Sequence, residues 1–273
     1  MVDVNRRTIA GPLEGLTFVV DERGPGDGGP PLVWLHSELG DFAGPPLTDE
    51  LAGRLRTLVA HLPGWGVATG VEHFDQLEHL ATAYWWLFDE LGLDAVHLAG
   101  LGIGATLAAE IAIQQPGRVP SLVLAGPFGL FREDDPGGDL FALVPRDVMP
   151  LLYADPAGPV ASAHFPPAAD AYERGLQTVR RVEVLAPASR FLFPIPDTGI
   201  GRRLYRLGDR PVELFWGAKD GIVPPSLAED WAAHLPGART TIVEGAAHMA
   251  PYEDPAAFSA VLERATSAAV SAG

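Results

Sequence analysis

The chain has 273 residues, with 35 Asp and Glu against 19 Lys and Arg, a formal net charge of −16 and no cysteine. A chain of this length buries one sizeable core. The charge speaks against nucleic-acid and anionic-membrane partners, which need a basic face to displace counterions, and the lack of cysteine excludes disulfides, thiolate metal sites and a cysteine nucleophile. Arg6 and Arg7 are followed by no apolar run of signal-peptide length, and no later stretch is long enough to span a bilayer, so a cytoplasmic protein is the expectation.

Residues 16–20 read as a strand, ended by a Gly-, Pro- and Asp-rich turn over 21–31. Residues 32–35 form a short apolar run bounded by turns, the mark of a strand buried on both faces of a parallel sheet, and they lead into His36-Ser37-Glu38-Leu39-Gly40. A helix over 46–55 and a strand over 57–60 follow, then His61-Leu62-Pro63-Gly64-Trp65-Gly66. Apolar residues at helical spacing (Leu77, Leu80, Tyr84, Leu87, Leu91) predict a helix over 74–91, with Gly92 as its C-cap and Trp85 and Trp86 as packing residues. Next come a strand over 95–99, a helix over 103–115 stopped before Pro116, and a strand over 122–125.

The pattern breaks after Pro127. Residues 128–207 are rich in proline and aromatics and show only weak helical stretches, over 140–153, 168–181 and 201–207. A strand over 212–216, a helix over 225–234, a strand over 240–244 and a closing helix over 255–265 restore the alternation. Alternating buried strands and helices imply an α/β protein, with a mostly parallel twisted sheet and helices on both faces. The core is assigned to residues 1–127 and 208–273, and residues 128–207 to an inserted helical cap.

Most of the chemistry is concentrated between Val96 and Leu107, where an apolar run meets Gly100, Gly102 and Gly104 and then a helix. The spacing is that of a G-x-S-x-G nucleophile elbow, a sharp strand-to-helix turn, but Gly102 stands where the serine belongs. In open α/β sheets ligands bind at the carboxyl ends of the strands. The loops at 36–40, 100–104, Asp220 and His248 all emerge there, and their order, elbow then acid then histidine, is that of a hydrolytic triad.

In these motifs the chain resembles the α/β-hydrolase fold superfamily, in its capped, esterase-like and epoxide-hydrolase-like branch. The resemblance runs from Leu32 to the C-terminal helix. It rests on Leu35-His36 followed by Gly40, on Leu62-Pro63-Gly64-Trp65-Gly66, on the elbow, on Trp216-Gly217-Ala218-Lys219-Asp220 and on Gly245-Ala246-Ala247-His248. It implies His248 as general base, Asp220 as the carboxylate that orients it, and an oxyanion hole made by the backbone N–H of Ile103 with one from Ser37 or Glu38. Leu101 and Phe128 complete the implied substrate-binding set. A histidine titrating near neutrality, with its tautomer fixed by a carboxylate, suits the role.

Two departures from the family pattern bear on function. Gly102 closes the acyl-enzyme route at that position, and Ser37 replaces the second residue of the usual His-Gly pair while Glu38 brings a carboxylate to the rim of the hole. Together they argue for natural divergence rather than a single replaced nucleophile. Ser37, Glu38 and Asp41 are the nearest alternative groups, although turn and solvation roles are the ordinary behaviour of such residues. His36, His61, His97 and His164 read as packing or surface residues. No H-E-x-x-H pair or other close ligand cluster occurs, so neither a metal nor another cofactor is expected.

Three functions follow. The first is an enzyme acting on a small, largely apolar carbonyl or ester-like substrate by His248–Asp220 general-base and oxyanion-hole catalysis without a serine, as a lyase, isomerase, cyclase or direct hydrolase. The second is a serine ester or lactone hydrolase whose nucleophile is replaced by Gly102. The third is a non-catalytic binding protein on the same fold. In each case the partner is a small molecule, with Phe128, Phe131, Phe141, Phe165, Phe191 and Phe193 as candidate lining and a homodimer left open.

Overall fold

The computed structural model describes residues 4–25, 28–42 and 44–271. Residues 1–3 and 26–27, which belong to the N-terminal and first-turn readings, lie outside the described residues. The strands are β1 (Asn5–Ala10), β2 (Thr17–Arg23), β3 (Leu32–Leu35), β4 (Thr57–His61), β5 (His97–Leu101), β6 (Leu122–Ala125), β7 (Val212–Gly217) and β8 (Arg239–Val243). They form one sheet in the order β1-β2-β4-β3-β5-β6-β7-β8. Pairing is parallel from β4 through β8, while β1 and β2 are antiparallel to their neighbours, which makes the sheet mostly parallel as expected.

Every residue of β3, β5, β6 and β7 is buried. Strands covered on both faces favour apolar side chains on both faces rather than at alternate positions, which is why these read as largely apolar runs. The helices are α1 (Asp49–Arg54), α2 (Leu77–Glu90), α3 (Ile103–Gln114), α4 (Pro145–Leu152), α5 (Pro159–His164), α6 (Ala171–Leu192), α7 (Ser226–His234), α8 (Ala250–Glu253) and α9 (Pro255–Ser271). Helix α3 lies against β3, β5 and β6, with α2 packed on it. On α9, Phe258 meets Trp34 of β3 at 5.7 Å and Phe215 of β7 at 5.3 Å.

Several elements depart from the sequence reading. β1 was not anticipated, because its exposed, polar residues leave no apolar alternation to detect. β2 continues through Asp21 into the expected turn; the buried Asp21 carboxylate is tolerated because Arg6 grips it at 2.6 and 2.7 Å and His61 reaches it at 3.2 Å. Helix α6 runs on well past residue 181 and through Pro187, and residues 201–207 form 3₁₀ turns instead of a helix. Between β6 and β7 the described residues contain α4, α5 and α6 and no strand. Arg203, near the end of that segment, pairs with Glu78 of α2 and with the buried Glu110 of α3, tying the segment to the core.

Candidate active site

The elbow forms as the glycine pattern predicts. A Cβ at position 100 would collide with the backbone of Gly104, and one at position 104 with the carbonyls of Leu35 and His36, so β5, α3 and β3 approach more closely than any larger residue permits. Gly102 sits at φ 58°, ψ −121°, between the buried end of β5 at Leu101 and the first residue of α3, Ile103. The N–H groups of a helix's first turn have no partner within the helix and favour a negative charge.

The loop after β3 is a tight turn held from both sides. His36 Nδ1 donates to the Ser37 carbonyl at 2.8 Å, and its Nε2 accepts from the amide of Leu62 at 3.1 Å. Burial, the main cause, pushes its pKa down to about 4, so His36 is a neutral structural pin. Ser37 Oγ accepts from the Leu39 amide at 3.2 Å, the ordinary turn role, and Asp41 caps the Gly44 amide at 2.8 Å. Trp65 Nε1 donates to the Glu38 carbonyl at 3.1 Å.

This clamped turn directs the Glu38 side chain inward. Glu38 is fully buried. Its Oε2 accepts from the Ile103 amide at 3.3 Å, and its Oε1 lies 3.1 Å from Nε2 of His248. A Cβ built on Gly102 would overlap Oε2 and stand 3.2 Å from the Glu38 Cδ and 3.3 Å from His248 Nε2. The glutamate carboxylate therefore occupies the space that a side chain at position 102 would take.

Asp220 and His248 meet as the sequence order implies. Asp220 Oδ1 accepts from the amides of Ile222 and Val223 at 2.9 and 2.8 Å, which leaves Oδ2 to face His248 Nδ1 at 2.9 Å. Burial alone would lower the His248 pKa, but the two carboxylates outweigh it and push it up to about 10. The ring thus has a carboxylate on each side, Asp220 at Nδ1 and Glu38 at Nε2, and both favour its protonated form. The Phe128 ring lies 6.0 Å from the His248 ring. Of the other candidate lining residues, Phe141 and Phe193 pack on each other at 6.2 Å, with Phe193 exposed.

Three further residues shape this region without a sequence signal. Gly126, just after β6, has φ 46°, and a Cβ there would stand 3.0 Å from Asp220 Oδ2. Glu253 accepts from the amide of Ala247, beside His248, at 2.7 Å and from that of Ala154, just after α4, at 2.8 Å. The Tyr153 hydroxyl lies 2.7 Å from His164 Nδ1, and His164 stacks on Phe42 at 4.1 Å, so His164 is a packing residue of the seam between α5 and the loop after β3. His97 is likewise structural, with Nδ1 2.7 Å from Ser121 Oγ. Among the described residues no group of three or more His, Asp or Glu is disposed to hold a metal ion, and no helix is long and apolar enough to cross a membrane.

Residues 16–255 match the family model described as alpha/beta hydrolase fold. The chain is 30% identical over 248 residues to the dihydrolipoyllysine-residue acetyltransferase component of the acetoin cleaving system of Cupriavidus necator, covering 88% of this chain and 64% of that protein. It thus spans less than two thirds of that relative's length. It is 27% identical to 2-hydroxy-6-oxononadienedioate/2-hydroxy-6-oxononatrienedioate hydrolase 2 of Pseudomonas putida, covering 86% of each chain. Among solved structures it is similar to a 2-hydroxy-6-oxo-6-phenylhexa-2,4-dienoate hydrolase from Rhodococcus sp. strain RHA1, with a TM-score of 0.71, 19% identity and coverage of 97% of this chain and 99% of that one.

Proposed function

The chain belongs to the alpha/beta hydrolase fold family, and we propose that it is an enzyme of that family acting on a small, largely apolar substrate without a serine nucleophile, through the buried array Glu38–His248–Asp220. The observation that carries this reading is the Glu38 carboxylate in the space that a side chain at position 102 would take, bonded at once to the Ile103 amide and to His248. Asp220 orients the ring, His248 holds a proton for a leaving oxygen, and Glu38 supplies the negative charge that the elbow lacks. The hydrolase relative in Pseudomonas putida supports the reaction class. For the carbonyl or ester-like substrates considered above, Glu38 must first leave the Ile103 amide, because the carbonyl oxygen needs that donor.

The test is product formation by the wild-type protein from 4-nitrophenyl esters, small lactones and styrene oxide, repeated with Glu38→Gln and His248→Gln. Turnover of at least one substrate, falling about 10²-fold or more in both variants, is the expected result. Turnover indifferent to both substitutions refutes the reading. A second reading, a non-catalytic binding protein, is favoured by the full burial of Glu38 and His248 with the Ile103 amide already satisfied. Saturable binding of these compounds with no product from any of them would select it.

A further inference from the structure

The loops that carry Asp220 and His248 are both bonded to one short stretch at the end of α4. The last carbonyls of a helix have no partner within it, and two of those of α4 are taken up by these loops. Leu151 O accepts from the Gly221 amide at 3.2 Å, and Leu152 O accepts from the Met249 amide at 2.9 Å. Gly221 follows Asp220 and Met249 follows His248, so each bond holds the backbone one residue away from a site side chain. Glu253 makes the third connection. At the end of the short helix α8, its Oε2 accepts from the amide of Ala247, the residue before His248, at 2.7 Å, and its Oε1 from the amide of Ala154 at 2.8 Å. The two loops also meet directly, the Lys219 amide donating to the Ala246 carbonyl at 2.9 Å. The contact is tight: a Cβ on Gly221 would stand 2.6 Å from Leu151 Cδ2 and 3.1 Å from its Cα.

Resting on the reading above of Asp220 and His248 as a working pair, we infer that residues 151–154, though they belong to the segment between β6 and β7, are a splint that sets the alignment of this pair, and that Glu253 is the positioning residue that closes it. Three attachments to one segment, with a fourth between the loops themselves, leave the loops little freedom to move apart. The 2.9 Å contact from His248 Nδ1 to Asp220 Oδ2 spans two loops held in this way. A hydrogen bond weakens steeply as its angle closes, so a small displacement of either loop is enough to spoil it. Glu253 acts through placement: it meets backbone amides, and the charges that act on the ring are those of Asp220 and Glu38. A glutamine at position 253 keeps the size and one acceptor oxygen but sets an NH₂ group against one of the two amides, which breaks the bridge.

The experiment reads the proton on His248 Nδ1 by NMR of the full chain labelled with nitrogen-15 histidine, the resonance being identified by its loss in His248→Gln. Glu253→Gln and, independently, Gly221→Ala should shift or broaden it. Arg203→Met, which cuts a different tie of the same segment to the core through Glu78 and Glu110, should leave it in place. In the wild-type protein the amide protons of Ala154, Gly221, Ala247 and Met249 should exchange with solvent with protection factors within about tenfold of one another, because a splint opens as a unit. A resonance unchanged in both Glu253→Gln and Gly221→Ala, or displaced as far by Arg203→Met, overturns the inference. So does protection of the Ala154 amide more than about tenfold weaker than that of Ala247 and Met249, a wild-type measurement that decides the matter even where a variant fails to fold. These readings need no substrate, so the splint can fail while the turnover tests above succeed, and the reverse.

Discussion

Placing a hydroxyl at the turn by Gly102→Ser should damage this protein rather than activate it, unless Glu38 is removed as well. The new Cβ would overlap Glu38 Oε2, far inside the 3.0 Å that real Cβ atoms keep from a neighbour. The carboxylate must leave its place, which breaks the buried pair with His248, a loss of about 3–5 kcal/mol. A non-glycine residue at φ 58° adds strain of about 1–3 kcal/mol. In a Glu38→Gly background only the strain remains, so a double-mutant cycle of urea denaturation should give a coupling of about 3–5 kcal/mol. A single variant that unfolds outright and is rescued by the second substitution is the same result in its extreme form. Because the Cβ stands 3.3 Å from His248 Nε2, the serine of the double variant has its base within reach, and a fluorophosphonate should label the double variant alone. A coupling within about 0.5 kcal/mol of zero, or equally fast labelling of Gly102→Ser by itself, would refute the claim that the two side chains exclude each other. The same cycle tests the idea of a merely replaced serine, under which the single change suffices.

Other expectations follow from the same geometry. The His248 pKa is raised from 6.5 to about 10, so its contribution to stability is complete below pH 6.5 and lost as pH rises toward 10. His36 is lowered from 6.5 to about 4, so its contribution is present above 6.5 and lost as pH falls toward 4. Urea midpoints measured across this range should decline in both directions, and a steady rise from pH 7 to 10 would contradict the double ion pair on His248. Asp220→Asn keeps an acceptor for the Ile222 and Val223 amides, so the protein should stay folded while turnover falls about 10³- to 10⁴-fold, as when a triad aspartate loses its charge. Arg203→Met leaves Glu110 buried without its cation; with Arg203 partly exposed the cost is discounted to about 2–3 kcal/mol. Burial chiefly holds the Glu110 pKa near 7 despite Arg203, so that loss should be smaller at pH 5, where the carboxyl is neutral, than at pH 8. Denaturation curves at the two pH values check it.

What could be read from the sequence was whatever local rules determine. The central strands are short apolar runs because both faces are covered, and the elbow glycines are required by close backbone approach, so β3, β5, β6 and β7 and the turn into α3 were legible. The pairing of Asp220 with His248 was implied by the resemblance to the family, whose order of elbow, acid and histidine the loops follow. β1 escaped because an exposed antiparallel edge strand needs no apolar alternation, and the end of α6 because Pro187 is compatible with helix once other contacts hold it. The inward turn of Glu38 was invisible for a different reason. It is one side-chain direction, set by His36, Leu62 and Trp65 acting together on a loop of five residues, and its target is the space that Gly102 leaves. Two unusual residues far apart in sequence explain each other only once they are seen side by side.

The Glu253 carboxylate, shared between the amides of Ala247 and Ala154, joins the backbone that carries His248 to the segment that follows α4. A shift of that segment is therefore passed to the histidine through one side chain. The placement of the ring depends on a carboxylate that is bonded to backbone amides rather than to the ring itself.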